Sequence, residues 1–146
     1  MTRQINDAGL ALIKDFEKLR LTAYDDGVGV WTIGWGSTKG VSPGMTITEP
    51  QAEGRLLADL DWAAKAVEAS VKQPLNENQF AALVSFVFNV GVNAFSRSTL
   101  LSELNAGHYD RVPHELARWN QGGGKVLPGL VRRRAAEIEL WEKAVP

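Results

Sequence analysis

Two carboxylates stand early in the chain in unlike surroundings. Glu17 follows Leu10 and Ile13 at helical spacing, near the C-terminal end of an apolar stripe. Asp26 lies in Asp25-Asp26-Gly27, a polar turn signal. Low-dielectric surroundings hold a carboxyl protonated toward neutral pH, whereas a polar turn leaves one ionised. A pair divided in that way can split a glycosidic bond. One carboxyl hands its proton to the leaving oxygen, and the other activates water or attacks the sugar. Each residue also has a plain structural reading. A glutamate at the end of an amphipathic helix is ordinarily a solvated edge, and an aspartate before glycine in a hairpin is ordinarily turn chemistry. Spacing alone does not choose between the two.

Other chemistries find less support. Cysteine is absent, which excludes disulfides, thiolate metal sites and cysteine nucleophiles. No metal-ligand spacing, phosphate loop or dinucleotide fingerprint occurs, so no cofactor and no metal are expected. A net charge of −1 lacks the basic footprint of a nucleic-acid binder. The one dense basic cluster is Arg132-Arg133-Arg134. It reads as a solvated helix face paired with Glu137 and Glu139, or as the source of one arginine that reaches Glu17. Such a pair would oppose the raised pKa that an acid needs, so the arginines stay outside the catalytic set. His108 and His114 fall in short polar helices and read as solvated or capping residues.

The elements that must position these groups can be read from pattern. A chain of 146 residues with 45% hydrophobic content fits one domain, spanning 1–146, with a real core. Asn6 or Asp7 can cap a first helix running to about Leu19. Leu21–Tyr24 and Val30–Ile33 are β-prone, and Gly34, Gly36, Gly40 and Gly44 punctuate the chain beyond them, as in a small antiparallel sheet. Thr48, Pro50 and Gln51 open a helix to about Ser70, with Leu56, Leu60, Ala63 and Val67 inward. Asn76 opens another, and Phe80–Val90 is apolar almost all round, the mark of a buried central helix. Three more helices are expected near 97–105, 110–120 and 128–143, separated by Gly107 and Gly122-Gly123-Gly124. Trp62, Trp119 and Trp141 fall on helices and read as packing. Tyr24, Trp31 and Trp35 gather at the hairpin, where rings could stack on sugars. Core packing is favoured for Trp31 and Trp35, and Tyr24 is left as a binding candidate.

At this point the residues carry a resemblance. Glu17, Asp26 and Thr32 follow the spacing of the Glu–Asp–Thr triad of phage-type lysozymes, glycoside hydrolase family 24. Phe16–Asp26 resembles that family's helix-to-hairpin segment, and Trp31-Thr32-Ile33-Gly34-Trp35-Gly36 its Thr-Ile-Gly-x-Gly strand. Phe86–Gly91 is similar to its central helix, and Leu127–Arg134 to the start of its C-terminal helix. The pattern departs at Ser37, where many members carry histidine. The resemblance implies that Glu17 protonates the glycosidic oxygen, Asp26 holds or activates the water, and Thr32 helps to position it. It also implies that Asn89 faces the cleft, where its amide can meet a sugar N-acetyl group. The best-known members invert the anomeric carbon, which requires room for a water between the carboxylates.

The expected fold is therefore α+β and predominantly helical. It is lysozyme-like, with a β-hairpin lobe (about 20–47), a linking helix (about 49–70) and a helical lobe (about 71–146) flanking a cleft. The expected activity is that of a phage endolysin, a muramidase cleaving between N-acetylmuramic acid and N-acetylglucosamine. Bacterial peptidoglycan is the expected partner, with no nucleic acid and no membrane anchor, and the chain is expected to be a monomer. No signal peptide or transmembrane run is seen. The expected route is host cytoplasm, then release by a holin to the periplasm and wall. A lytic transglycosylase, needing only the acid, and a non-catalytic wall-binding module remain as alternatives.

Overall fold

The computed structural model describes residues 3–145. Helix α1 spans Asp7–Glu17, and the Asn6 side chain accepts from the Gly9 N–H, satisfying one of the free donors at the helix start. It stops two residues short of the expected Leu19. Lys18 turns to φ 58, so Glu17 becomes the last helical residue and the chain runs directly into the sheet.

Strand β1 (Arg20–Asp25) pairs antiparallel with β2 (Trp31–Gly34), placing Tyr24 opposite Thr32 and Asp25 opposite Trp31. Residues 45–47 pair with the other edge of β1, through Ala23 N–H to Met45 O (2.8 Å) and Ile47 N–H to Leu21 O (3.0 Å). After β2 the chain turns sharply through Gly34-Trp35-Gly36. Ser37 comes back to exchange two backbone bonds with Ile33, each 2.9 Å. That turn sets Gly36 in front of the end of α1.

Helix α2 spans Glu49–Ser70 and opens on the expected capping box of Thr48 and Gln51. Its inward stripe holds Ala52, Leu56, Leu60, Ala63, Ala64 and Val67. Helix α3 (Glu77–Val90) opens on a second box, Asn76 with Gln79, and every residue from Phe80 to Val87 is buried. It is the central helix, with α1, α2 and α7 packed around it. Contact with α1 is so close that a methyl group on Gly9 would lie 2.6 Å from the Ala81 side chain. Phe86 meets Phe95 edge-on at 6.3 Å and Trp119 at 5.4 Å. A buried phenylalanine of this kind contributes about 1.5–3 kcal/mol.

The rest of the helical part is more broken than expected. Gly91 ends α3, and a short α4 (Val92–Ser96) comes at once. Helix α5 is Thr99–Asn105, capped by Ser98. The expected helix at 110–120 divides into a 3₁₀ turn (Tyr109–Arg111) and α6 (Val112–Ala117). The glycine run closes a small hairpin, β3 (Gln121–Gly122) with β4 (Lys125–Val126), instead of serving only as a separator. Strands of two residues carry no periodicity to detect. Helix α7 (Pro128–Glu142) completes the chain's architecture. Among the described residues, no helix is long and apolar enough to cross a membrane.

Candidate active site

Glu17 ends α1 at the wall of a groove. Its Oε2 accepts from Arg133 Nη1 at 2.7 Å. Its Oε1 faces Gly36, where an added methyl would lie 3.3 Å away. Gly36 also holds φ +88, a left-handed conformation that side chains resist. Two recesses meet at this carboxylate. One of about 340 Å³ is lined by Gly36, Thr38, Lys39, Asp59, Trp62 and Phe88. The other, about 610 Å³, runs past Phe16, Leu127, Pro128, Leu130 and Arg132. Glu17 and Asn89 line both, so the groove is continuous across them. A recess beside Arg3 and Leu57 holds about 20 Å³, room for little more than one water.

Beneath Glu17 lies a buried set of charges. The solvated-face reading of the arginine cluster holds only for Arg132; Arg133 and Arg134 are 4% and 2% exposed. Their guanidiniums turn inward toward Glu137, which is 0% exposed and one turn further along α7. Ser85 on α3 donates its hydroxyl to Glu137 at 2.6 Å. Burial pushes the Glu137 carboxyl up, while Arg134, the Ser85 hydroxyl and Arg133 pull it back. Burial likewise lowers Arg134, with Glu137 acting against that. Arg134 reaches out to Asn89, donating to its Oδ1 at 2.7 Å. Asn89 is itself exposed, so its carbonyl is fixed from below while its NH₂ group stays free to donate.

Asp26 sits in exposed surroundings at the hairpin turn. Its Oδ1 accepts from the Val28 N–H (2.9 Å) and the Val30 N–H (3.2 Å). Thr32, 6% exposed, donates its hydroxyl to Val30 O at 3.2 Å. The backbone of Val30 therefore holds both side chains. Asp25 makes a parallel pair of bonds, accepting from Gly27 and Gly29 N–H at 2.8 and 3.0 Å. Tyr24, half-buried, carries the Arg20 guanidinium 4.4 Å from its ring centroid, which covers one face. Of the five residues singled out in the sequence, Glu17 and Asn89 share the groove. Asp26, Thr32 and Tyr24 cluster on the hairpin and line neither recess.

Trp62 corrects the packing expectation. It is 41% exposed and stands 5.8 Å from the Phe88 ring, both on the groove wall. A signal was available, because Trp62 falls beside the Leu56–Leu60–Ala63–Val67 stripe, not on it. Asp59, one turn earlier, lines the same recess and accepts from the buried Ser37 hydroxyl at 2.5 Å. Trp35 packs in the core with Lys14 Nζ 4.7 Å from its ring centroid. Trp119 and Trp141 also pack, against Phe86 and near Tyr109. His108 and His114 are exposed, and His108 Nδ1 lies 2.8 Å from Glu103. Among the described residues, no group of acidic or histidine side chains is gathered to hold a metal.

Comparison with known proteins extends over this whole architecture. The family model for phage lysozyme matches residues 14–137. An endolysin of Acyrthosiphon pisum secondary endosymbiont phage 1 is 42% identical over 144 residues, covering 96% of this chain and 99% of that relative. An endolysin of Bacillus phage PZA is 44% identical over 98% of this chain, which spans 57% of that relative's length. Among solved structures, the muramidase domain of SpmX from Asticaccaulis excentricus superposes with a TM-score of 0.91 at 39% identity, covering 97% of this chain and 100% of that one.

Proposed function

Because the chain belongs to the phage lysozyme family, we infer that it cuts the β-1,4 bond between N-acetylmuramic acid and N-acetylglucosamine with Glu17 as the proton donor. Membership carries the general activity, hydrolysis of bacterial peptidoglycan by a lysozyme-type enzyme. The finer reading rests on the placement of Glu17. One carboxylate oxygen is tied to Arg133, and the other opens beside Gly36 where two recesses join.

In this reading a glycan strand lies along the groove. Glu17 Oε1 gives its proton to the linking oxygen as the bond to the anomeric carbon breaks. Water attacks that carbon from the hairpin side. Both turn bonds of Asp26 fall on Oδ1, which leaves Oδ2 to take a proton from the water. Thr32 gives its own proton to Val30 O, and its oxygen keeps lone pairs that can accept from the same water. Entry of water opposite the leaving group inverts the anomeric carbon. Asn89 donates its free NH₂ to an acetamido carbonyl, and Trp62 and Phe88 offer apolar faces to a sugar ring. Tyr24 contributes its uncovered face at the hairpin. The same reading has a holin release the enzyme from the host cytoplasm to the wall.

The test is Glu17→Gln in a turbidity assay on permeabilised Gram-negative cells. General acid catalysis is worth roughly 10²–10⁴-fold, so lysis is expected to fall by at least about 10²-fold. Circular dichroism should stay unchanged. Undiminished lysis by a folded Glu17→Gln protein would remove the assignment.

A further inference from the structure

One buried carboxylate holds two groove residues at once. Three donors converge on Glu137 Oε2: Ser85 Oγ at 2.6 Å, Arg134 Nη2 at 3.2 Å and Arg133 Nε at 3.4 Å. Arg134 Nε also lies 2.7 Å from Oε1, a charge contact without the alignment of a hydrogen bond. Two guanidiniums within 3.4 Å of its oxygens favour the carboxylate form against the upward push of burial. From this shared anion the guanidiniums diverge. Arg133 Nη1 meets Glu17 Oε2 at 2.7 Å, and Arg134 Nη2 meets Asn89 Oδ1 at 2.7 Å. Among the described residues, these are the only side-chain hydrogen bonds that Glu17 and Asn89 make.

We propose that Glu137 is a positioning residue that sets both the acid, through Arg133, and the substrate-facing amide, through Arg134. The proposal rests on Glu17 being the acid. Its physical content is charge balance. Arginine keeps its proton in a folded protein, so Arg133 and Arg134 are fixed cations. Glu137 neutralises part of that charge from below. Without it, both cations look to Glu17 for their counterion, and the carboxylate form of Glu17 is favoured when the reaction needs the acid form. The second arm works by orientation. An arginine donating to Oδ1 of Asn89 turns the NH₂ outward, which presents a donor to a sugar carbonyl.

The other charges facing Glu17 stay in place if Glu137 changes. Asp15, Lys18 and Arg132 line one recess with it, and Lys39 and Asp59 the other. Ser85 is the polar group that α3 adds against Glu137.

The experiment is the pH profile of kcat/KM for Glu137→Gln, which keeps the shape and removes the charge. The basic limb, where the acid loses its proton, is expected to move down by about one pH unit, as the loss of a neighbouring charge commonly does. KM for peptidoglycan should rise severalfold as Asn89 loses its orientation. A folded Glu137→Gln protein with an unmoved limb overturns the proposal. If circular dichroism shows that this variant does not fold, Arg134→Lys takes its place. It keeps the charge but cannot bridge Glu137 and Asn89, and KM should rise while the limb stays. A KM equal to that of the unaltered protein then overturns the proposal. Glu17→Gln run alongside separates the two claims. If it stays active, the acid assignment fails. If it is inactive while Glu137→Gln is unshifted, only the positioning role fails.

Discussion

The two ends of the groove chemistry are built in opposite ways. Glu17 is gripped from beneath by Arg133, 116 positions away in sequence, inside a set of buried charges shared by α1, α3 and α7. Asp26 is gripped by amides two and four positions away, on an exposed turn. The first arrangement exists only when the whole chain has folded; the second needs little beyond its own hairpin. The electrostatics divide in the same way. Charges around Glu17 act across a poorly screened interior, whereas those around Asp26 are bathed in water.

The contrast can be broken most forcefully at its local end. Asp26→Asn keeps an oxygen for the turn amides but cannot take a proton, and kcat is expected to fall by at least about 10²-fold. Asp25→Asn is its control, since Asp25 makes the same pattern of turn bonds. Equal losses in the two would mean that the turn, not the base, had been measured. If Asp26→Asn stays active and mass spectrometry finds anhydro-muropeptides, the sugar's own hydroxyl is the nucleophile and the enzyme is a transglycosylase.

Gly36→Ala probes the meeting of the two regions. The left-handed backbone costs an alanine about 1–2 kcal/mol, and its methyl would press on Glu17 Oε1 from 3.3 Å. Activity should fall about tenfold, on the scale of a small misplacement of a catalytic group. The Tm should drop by a few degrees. A lowered Tm with unchanged kcat would show that Oε1 needs no such clearance.

The smallest expected effect comes from an exposed counterpart to the buried charges. The His108 hydrogen bond, aided by Arg111, holds the Glu103 carboxyl below its ordinary value of 4.5. A carboxyl whose folded-state value is lowered stabilises the fold above the ordinary value, and loses that effect as pH falls through the lowered one. Glu103→Gln should therefore lower Tm slightly at pH 6, and by less at pH 3. Added salt should shrink the pH 6 difference further, because its partners His108 and Arg111 are exposed. A difference that persists at pH 3 would assign the effect to packing.

What could be read from the sequence divides along the same line of local against distant. Thr48 with Gln51 and Asn76 with Gln79 announce their helices because a cap is made within four residues. The wholly apolar run Phe80–Val87 announces burial by itself. The resemblance around Glu17, Asp26 and Thr32 identified the candidate triad. The end of α1 is not legible, because Lys18 turns left-handed without a glycine to mark it. Arg133 and Arg134 are legible only in part. Their spacing to Glu137 is visible in the chain, but their burial depends on Ser85, Asn89 and Glu17, brought together from other helices. Trp62 reads as packing because a helical tryptophan is usually inside, although its place beside the inward stripe points outward.

The near-contact of Gly9 with Ala81 has a practical corollary for anyone seeking a hardier enzyme. Replacing helical glycines with alanine is a standard route to about 0.4–1 kcal/mol. At Gly9 the extra carbon would wedge α1 away from its neighbour. Eight residues further on, about 12 Å along the axis, the far end of that rod carries the Glu17 carboxylate, so a tilt at one end becomes a displacement at the other. Gly54 on α2 has no atom within 4 Å of such a carbon, and is the glycine where thermal robustness can be raised without touching catalysis.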